Sequence, residues 1–412
     1  HDVNIELWKL GVTSKTQHNE AAPAQHEVAP IYESANVAVD HNQLVMETLK
    51  RVAGKHGLRC MLHEKPFAGV NGSGKHNNWS ITTDNGVNLL EPGQTPNENI
   101  QFLLVLACIM KAVDTHADLL RQSASNVGND HRLGGYEAPP AIISIFLGEQ
   151  LEDVVAQLVE TGKADNLKEG GVLRTGVSTL PDFVKDATDR NRTSPFAFTG
   201  NKFEFRMLGS MLSIAGPNLV LNTIVAEALS QFADQLEQAP DFTEALNKLI
   251  RRTIREHKRI IFNGNNYTDE WMEEAERRGL LNLRTTPEAL PLFTAEKNVR
   301  LFARHCIFTE AEIRSRMEIL LDNYIKTIQI ESLTMVELTK KDILPAIVAY
   351  TSELSAAALD KRALSEDIDI SVELDTVRRL SSLAACIKSD AEKLEHALAE
   401  VRVYPTAAEQ AS

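Results

Sequence analysis

Lys65-Pro66-Phe67-Ala68-Gly69-Val70-Asn71-Gly72-Ser73-Gly74-Lys75-His76-Asn77-Asn78-Trp79-Ser80 is the stretch that decides how this chain is read. Pro66 fixes its own φ and drives Lys65 out of the helical region. Asn71-Gly72-Ser73-Gly74 is a run able to take positive φ and to bring backbone N–H groups against a ligand. His76 follows where Trp79 and Ile81, with Thr82 and Thr83, begin to read as a strand. A histidine opening a strand directly after a glycine-rich loop suits a metal held beside a bound anion. Taken singly the parts are ordinary, since glycine-rich turns are commonly just turns and a lone histidine is more often structural than a ligand. The information lies in the ordered whole.

Upstream stands His18-Asn19-Glu20-Ala21-Ala22-Pro23-Ala24-Gln25-His26-Glu27. Strands on either side of its short Ala/Pro turn would bring Glu20 and Glu27 together, and close carboxylates repel unless a cation or proton sits between them. Oxygen ligands suit Mg²⁺ or Mn²⁺; the alternative is a surface loop with solvated charges. Downstream, Asn129-Asp130-His131-Arg132-Leu133-Gly134-Gly135-Tyr136-Glu137-Ala138-Pro139-Pro140 reads as a loop dense in ionisable groups, either a lid or a plain connection. Asp189-Arg190-Asn191-Arg192-Thr193-Ser194 precedes a run in which Lys202, Glu204 and Arg206 alternate with Phe203 and Phe205. Period two predicts a strand, with a charged face that is either solvated or lines a polyanion site.

The rest of the chain supplies the scaffold. It has 412 residues, 43% of them hydrophobic, enough for one large or two moderate domains with a sizeable core. A formal net charge of −14 disfavours a nucleic-acid partner, because phosphates need neutralising cations. Cys60, Cys108, Cys306 and Cys386 show no metal or redox spacing and read as buried free thiols in a reducing compartment. The longest apolar run, around Leu103 to Met110, is too short to span a bilayer, and no signal peptide is visible. A soluble, cytoplasmic protein with no membrane partner is expected. The chain opens at His1, without an initiator Met, inside what reads as a helix, so further sequence upstream is expected.

Periodicity predicts helices over 37–56, 97–123, 149–161, 219–237 and 242–262, with short strands at 58–63 and 141–146. The 37–56 helix has Val39, Leu44, Val45, Leu49 and Val52 as its apolar face. The 242–262 helix is basic in its middle (Arg251, Arg252, Arg255, Lys258, Arg259), a solvated or inter-subunit face given the acidic total. Thr309 with Glu312 forms a capping box opening another helix. Ile343, Ile347, Tyr350 and Leu354, then Val377, Ala384, Ile387, Ala391, Leu394, Leu398 and Val401, suggest an antiparallel helical hairpin.

The Lys-Pro-aromatic…Asn-Gly-Ser-Gly-x-His-x-x-x-Ser order resembles the ATP-binding motif of glutamine synthetases, and the other charged segments fall into line with that family over most of the chain. Its His-x-Glu…Gln-x-Glu segment is matched with Glu20 and Glu27 one residue more closely spaced than in type I enzymes. Its Arg-Leu-x-x-Gly-Tyr-Glu-Ala-Pro flap is matched one residue short. Ala197 stands near a second arginine of the type I pattern, and Lys202 where those enzymes often have arginine, while the wording from Phe196 to Arg206 resembles the type III branch. The resemblance implies an α+β fold: a curved, mostly antiparallel sheet flanked by helices over residues 1–240, then an all-helical extension over 241–412. It implies ATP-dependent ligation of ammonia to L-glutamate through γ-glutamyl phosphate, with two or more Mg²⁺ or Mn²⁺ ions, in a homo-oligomer of twelve subunits in two rings. By residue, it implies Glu20 and Glu27 for one metal and His76 and Glu204 for another. His18, Lys65, Ser80, Arg192 and Lys202 fall to ATP, and Asn71, Gly72, Arg132 and Arg206 to glutamate. Glu137, Arg192 and Arg206 fall to catalysis. The family places two more metal-binding glutamates and a small β domain upstream, the latter completing a neighbour's site. Two competing readings are a γ-glutamyl ligase for another amine and a non-catalytic relative serving as scaffold or regulator-binding protein.

Overall fold

The computed structural model describes residues 1–161, 172–173, 183–184 and 191–411. They divide into two compact units, His1–Arg314 and Ser315–Ser412.

Among the described residues, the first unit carries every strand. β1 (Ser14–Asn19) and β2 (His26–Pro30) form an antiparallel hairpin between α1 (Asp2–Lys9) and α2 (Ala35–Lys55). Leu7, Val12 and Val45 form a small core there, with Val3 and Leu49 against it. Val45 and Val52 of the predicted α2 face are buried, whereas Leu44 points outward and is 37% exposed. The strand expected at 58–63 does not form: the segment has no ladder partner, and Leu58 and Met61 are exposed.

The main sheet has the order β3 (Gly74–Trp79), β8 (Phe203–Gly209), β7 (Phe196–Phe198), β4 (Ile145–Phe146), antiparallel except for the β4–β7 pair. The segment expected as a strand over 141–146 is buried throughout but ladders only at its end. Short β5 (Val172–Leu173) and β6 (Phe183–Val184) pair with each other. In β8 the aromatic residues turn to the core, with Phe196 stacked on Phe203 at 4.6 Å between ring centroids and Phe102 tilted against Phe198 at 5.8 Å. Rings paired in this way gain about 0.5–1.5 kcal/mol beyond their burial.

The expected long helix over 97–123 is two helices. α3 (Ile100–Thr115) is capped by the Asn99 side chain and is buried through Ala107, Cys108, Ile109 and Met110; α4 (Ala117–Gln122) follows. The break is at His116, whose φ of −122° leaves the helical region while its Nδ1 meets Asn298 Oδ1 at 3.1 Å. Asn298 and Lys297 also reach Asp118, so polar ties to a later helix overrule helix propensity here. α5 (Val127–Arg132) takes the first part of the segment expected as a loop. α6 (Glu149–Glu160) buries Leu151, Val154, Val155 and Leu158 as the sequence predicts. α7 (Ala215–Glu237) and α8 (Phe242–His257) pack on α3, and α8 ends in a tight turn at Lys258–Ile260 instead of running to 262. α9 (Asp269–Arg277), α10 (Thr286–Ala289) and α11 (Glu296–Arg304) complete the unit.

α12 (Glu310–Leu338) opens on the reciprocal Thr309–Glu312 capping box. A π-helical turn over Thr339–Ile343 leads into α13 (Leu344–Leu364), just ahead of Pro345, which has no N–H to give the preceding turn. α13 and α14 (Ser371–Val401) form the antiparallel hairpin: Lys340 meets Glu395 at 2.6 Å while Lys361 meets Glu373, so the two run in opposite directions. Along the expected seam Ala391 is buried and most positions are half-buried, but Ile343 and Tyr350 are exposed. α15 (Ala407–Ala411) ends the chain. All four cysteines are free, but only Cys108 is fully buried, and Cys306 and Cys386 are exposed against expectation. Among the described residues no helix is long and apolar enough to cross a membrane.

Candidate active site

The β1–β2 register sets His18 opposite Glu27 and Asn19 opposite His26. Adjacent positions across a ladder are only about 5 Å apart, so this register delivers both glutamates to one place. His18 Nε2 lies 2.5 Å from Glu20 Oε1 and 3.8 Å from Glu27 Oε2, and ligand atoms of all three residues fall within 4.8 Å of one another. Burial raises the Glu27 pKa, and the neighbouring Glu20 carboxylate raises it further; the imidazoles of His76 and His18 oppose this. Two carboxylates held this close are relieved by a cation, and one imidazole with two carboxylates is a competent donor set for Mn²⁺ or Mg²⁺. The residues present therefore fit a divalent metal.

The glycine loop is fastened to that hairpin. Gln25 Nε2 donates to Gly72 O at 2.9 Å and to Ser73 Oγ at 3.0 Å. Gly72 and Gly74 do not adopt positive φ as the sequence suggests; what they need is space. A Cβ at Gly72 would stand 2.4 Å from Glu64 O, and one at Gly74 would stand 2.0 Å from a guanidinium nitrogen of Arg132.

His76 lies on β3 where the register slips: Lys75 pairs with Leu208 but Asn77 with Phe205. The extra residue on β8 makes a bulge beside Arg206, a device that re-aims side chains. His76 Nδ1 sits 3.1 Å from Glu204 Oε1, and Glu204 Oε2 accepts from Arg206 Nε at 2.9 Å and Nη2 at 2.5 Å. Burial pushes the Glu204 carboxyl up, but the His76 hydrogen bond and the Arg206 guanidinium outweigh it and hold it at about 2. The expected charged face of β8 is thus buried and internally paired. The charge of His76 also acts on Glu27, lowering its pKa against the effect of burial.

Arg206 Nη1 also donates to Asn191 O, which places Arg192 at the rim. Asp189 and Arg190 lie outside the described residues. Arg192 Nη1 meets Glu137 Oε1 at 3.2 Å with both side chains more than half exposed, so the pair contributes at most about 1 kcal/mol and opens readily. The flap turns sharply at this point: Tyr136 and Glu137 have φ of 52° and 68°, left-handed values that cost non-glycine residues about 1–3 kcal/mol each. Lys65 Nζ lies 4.2 Å from the centre of the Tyr136 ring and donates to Val70 O, linking loop to flap. Ser80 and Lys202 lie together at the far end of the β3–β8 ladder, beyond the Trp79–Phe203 pair, where Ser80 Oγ donates to Asn88 Oδ1 at 2.7 Å.

Arg132 is placed differently from the flap position the sequence suggests. It ends α5, is 6% exposed, and donates to Asn129 Oδ1 and to the carbonyls of Arg206, Met207 and Leu208 at 3.1–3.4 Å. Burial lowers its pKa to about 10. It underlies Gly74 instead of facing solvent. Beside it, Glu64 is fully buried, accepts from Asn126 Nδ2 and Met211 N, and adjoins Lys75, whose pKa burial lowers to about 8. Gln25, Glu64 and Lys75 are supports to which the sequence reading gives no role, although Gln25 falls inside the quoted hairpin segment and Lys75 inside the quoted glycine-loop segment.

The hairpin thus carries a carboxylate-imidazole cluster, the main sheet pairs His76 with Glu204 and Arg206, and Arg192 meets Glu137 of the flap. Comparison with known proteins gives the family. The family described as "Glutamine synthetase, catalytic domain" matches residues 1–143, and "Glutamine synthetase C-terminal domain" matches residues 245–362. The chain is 50% identical over 394 residues to "Glutamine synthetase" of Butyrivibrio fibrisolvens, covering 93% of this chain and 55% of that one. It is 50% identical over 358 residues to "Type-3 glutamine synthetase" of Dictyostelium discoideum, covering 86% and 48%. It is 44% identical over 359 residues to "Glutamine synthetase" of Bacteroides fragilis (strain YCH46), covering 86% and 49%. The chain spans about half the length of these curated relatives. It belongs to the glutamine synthetase family.

Proposed function

We propose that the protein to which this chain belongs ligates ammonia to L-glutamate at the expense of ATP. The γ-phosphoryl group passes to the γ-carboxylate, giving γ-glutamyl phosphate and ADP. Ammonia then attacks the acyl carbon, phosphate leaves, and the proton is taken up by a side chain. What supports this reading is family membership together with two donor groups, His18, Glu20 and Glu27 within 4.8 Å of one another and His76 paired with Glu204 beside Arg206.

In this reading Glu20 and Glu27, with His18 alongside, hold one divalent cation, and His76 with Glu204 holds another. Mg²⁺ or Mn²⁺ bound there would supply positive charge to phosphoryl oxygens. Arg206 and Arg192 face the transferring group, since guanidinium matches its geometry bidentately. Lys65, Ser80 and Lys202 line the nucleotide side. Asn71 and Gly72 present the glycine loop to glutamate, with Arg132 serving glutamate by holding that loop from beneath. Glu137 stabilises ammonium, accepts its proton and, as the flap closes, excludes water. Residues 1–240 are the catalytic portion and 241–412 the helical extension. Four unpaired cysteines accord with a cytoplasmic setting, and family membership with a homo-oligomer, a dodecamer of two rings.

Assaying the full-length protein for ADP, phosphate and glutamine tests the proposal. Glutamine equal to ADP is expected only with glutamate, ammonia and a divalent metal present together, and Arg206→Ala should cost about 10²-fold in turnover. ATP turnover that ignores glutamate would refute the reading.

A further inference from the structure

Tyr267 lies outside every segment that the sequence singles out, and inside the stretch matched by the C-terminal-domain family, residues 245–362. The structure nevertheless carries it to the active site, on a loop fixed from several directions. Asn263 Oδ1 accepts from the N–H groups of Leu147 and Gly148 at 2.9 and 3.2 Å, at the exit of β4. Ser144 Oγ donates to Asn266 Oδ1 at 3.0 Å. Asn191 Nδ2 donates to Gly264 O at 2.6 Å, and the Asn266 N–H donates to Thr193 Oγ1 at 2.9 Å, so the loop also grips both neighbours of Arg192.

This scaffold holds a phenol whose oxygen is enclosed and, among the described residues, without a hydrogen-bond partner. The charges around it are those of the site. Burial raises the phenol pKa, the Glu137 carboxylate raises it further, and the Arg132 and Arg206 guanidinium groups oppose. The Glu137 main-chain N–H faces the phenol oxygen and also opposes the rise. That same residue, with Tyr136 before it, holds a left-handed backbone, and among the described residues its carboxylate pairs with the exposed Arg192. A strained turn at the tip of a flap needs something beneath it that over-determines its shape.

We propose that Tyr267 is a positioning residue for Glu137: the Asn263–Tyr267 loop packs at the active site within the first compact unit and, through the Tyr267 hydroxyl, fixes the flap turn that aims the Glu137 carboxylate. This rests on the reading that Glu137 takes the ammonium proton and excludes water. Losing the hydroxyl should not weaken nucleotide binding; it should let water compete for the acyl phosphate.

The test is a double-mutant cycle in the full-length enzyme with Tyr267→Phe, Glu137→Gln and the pair, measuring ADP and glutamine together with the KM for ATP. Tyr267→Phe keeps the ring and its packing. It should lower glutamine formation about tenfold and raise ADP formed per glutamine, with the KM for ATP unchanged, and it should add nothing to Glu137→Gln in the double variant. Losses that multiply in the double variant would overturn the proposal, as would an unchanged ADP-to-glutamine ratio in Tyr267→Phe. A fall in melting temperature with that ratio unchanged would reduce Tyr267 to loop packing and overturn it equally. Failure of the underlying reading shows elsewhere, in a Glu137→Gln single variant that makes glutamine like the wild type, and would sink both.

Discussion

Glu204 offers the clearest quantitative handle on the site. Its carboxyl is held at about 2 against an ordinary 4.5, with 8% of the side chain exposed. At about 1.36 kcal/mol for each pH unit, that gap is worth about 3 kcal/mol of folding free energy. The sign follows from the depressed value: the contribution is complete above pH 4.5 and is lost as pH falls through about 2. Glu204→Gln keeps the shape and removes the charge, so metal-free variant chain should be less stable than wild type by about 3 kcal/mol at pH 7 and by under half of that near pH 3. Urea unfolding followed by tryptophan fluorescence, to which Trp79, laddered to Phe203 and donating to Asn222, contributes, measures the deficit. Added Mn²⁺ should then stabilise wild type by about 2.7 kcal/mol at a hundredfold excess over its Kd, and the variant by clearly less. A pH-7 deficit below about 1 kcal/mol, or one of equal size near pH 3, would refute the claim that His76 and Arg206 hold this carboxylate ionised.

Three further outcomes are expected. Glu137→Gln should leave Mn²⁺ and ATP affinity nearly intact while glutamine formation falls about 10²–10⁴-fold, and wild-type glutamine per ADP at the wild-type rate would make Glu137 an ordinary loop residue. His76→Ala should weaken Mn²⁺ binding at one site in isothermal titration, since a methyl group cannot replace an imidazole ligand; unchanged affinity and stoichiometry would remove His76 from the metal shell. Gly74→Ala drives a methyl into the Arg132 guanidinium, which is buried and cannot swing aside, and should cost about 1–3 kcal/mol in thermal unfolding; a neutral result would mean that the loop shifts freely off Arg132.

What was legible in the sequence was what repeats or alternates. The period of two in Lys202–Arg206, the helical stripe through Leu151 to Leu158 and the heptads of the final hairpin each express one local geometry, and each element formed. The carboxylate hairpin was legible because a short turn leaves two flanking strands little choice but to pair. What escaped was decided at long range. Residues 58–63 look like a strand but find no neighbour to ladder with. His116 breaks a helix because Asn298 and Lys297 wait across the core. Arg132 reads as a flap residue until the carbonyls of Arg206, Met207 and Leu208 enclose it. Tyr267 could be found only by folding the chain, since nothing in Asn263–Tyr267 announces which loops its amides will hold. The run of asparagines there, side chains able to bridge two backbones at once, was the one available signal.

In the proposed reading Gln25 joins two segments that serve different ligands. Its amide is bonded to the glycine loop from the hairpin that carries His18, Glu20 and Glu27. A ligand that reshapes the loop must lengthen those bonds or carry the hairpin with it, and a cation that tightens the hairpin restrains the loop in turn. Such coupling is reciprocal by thermodynamic necessity: any factor by which metal improves glutamate affinity is returned as the same factor by which glutamate improves metal affinity. Gln25→Ala removes both of those bonds, so it should shrink the factor by which each ligand improves the other's affinity.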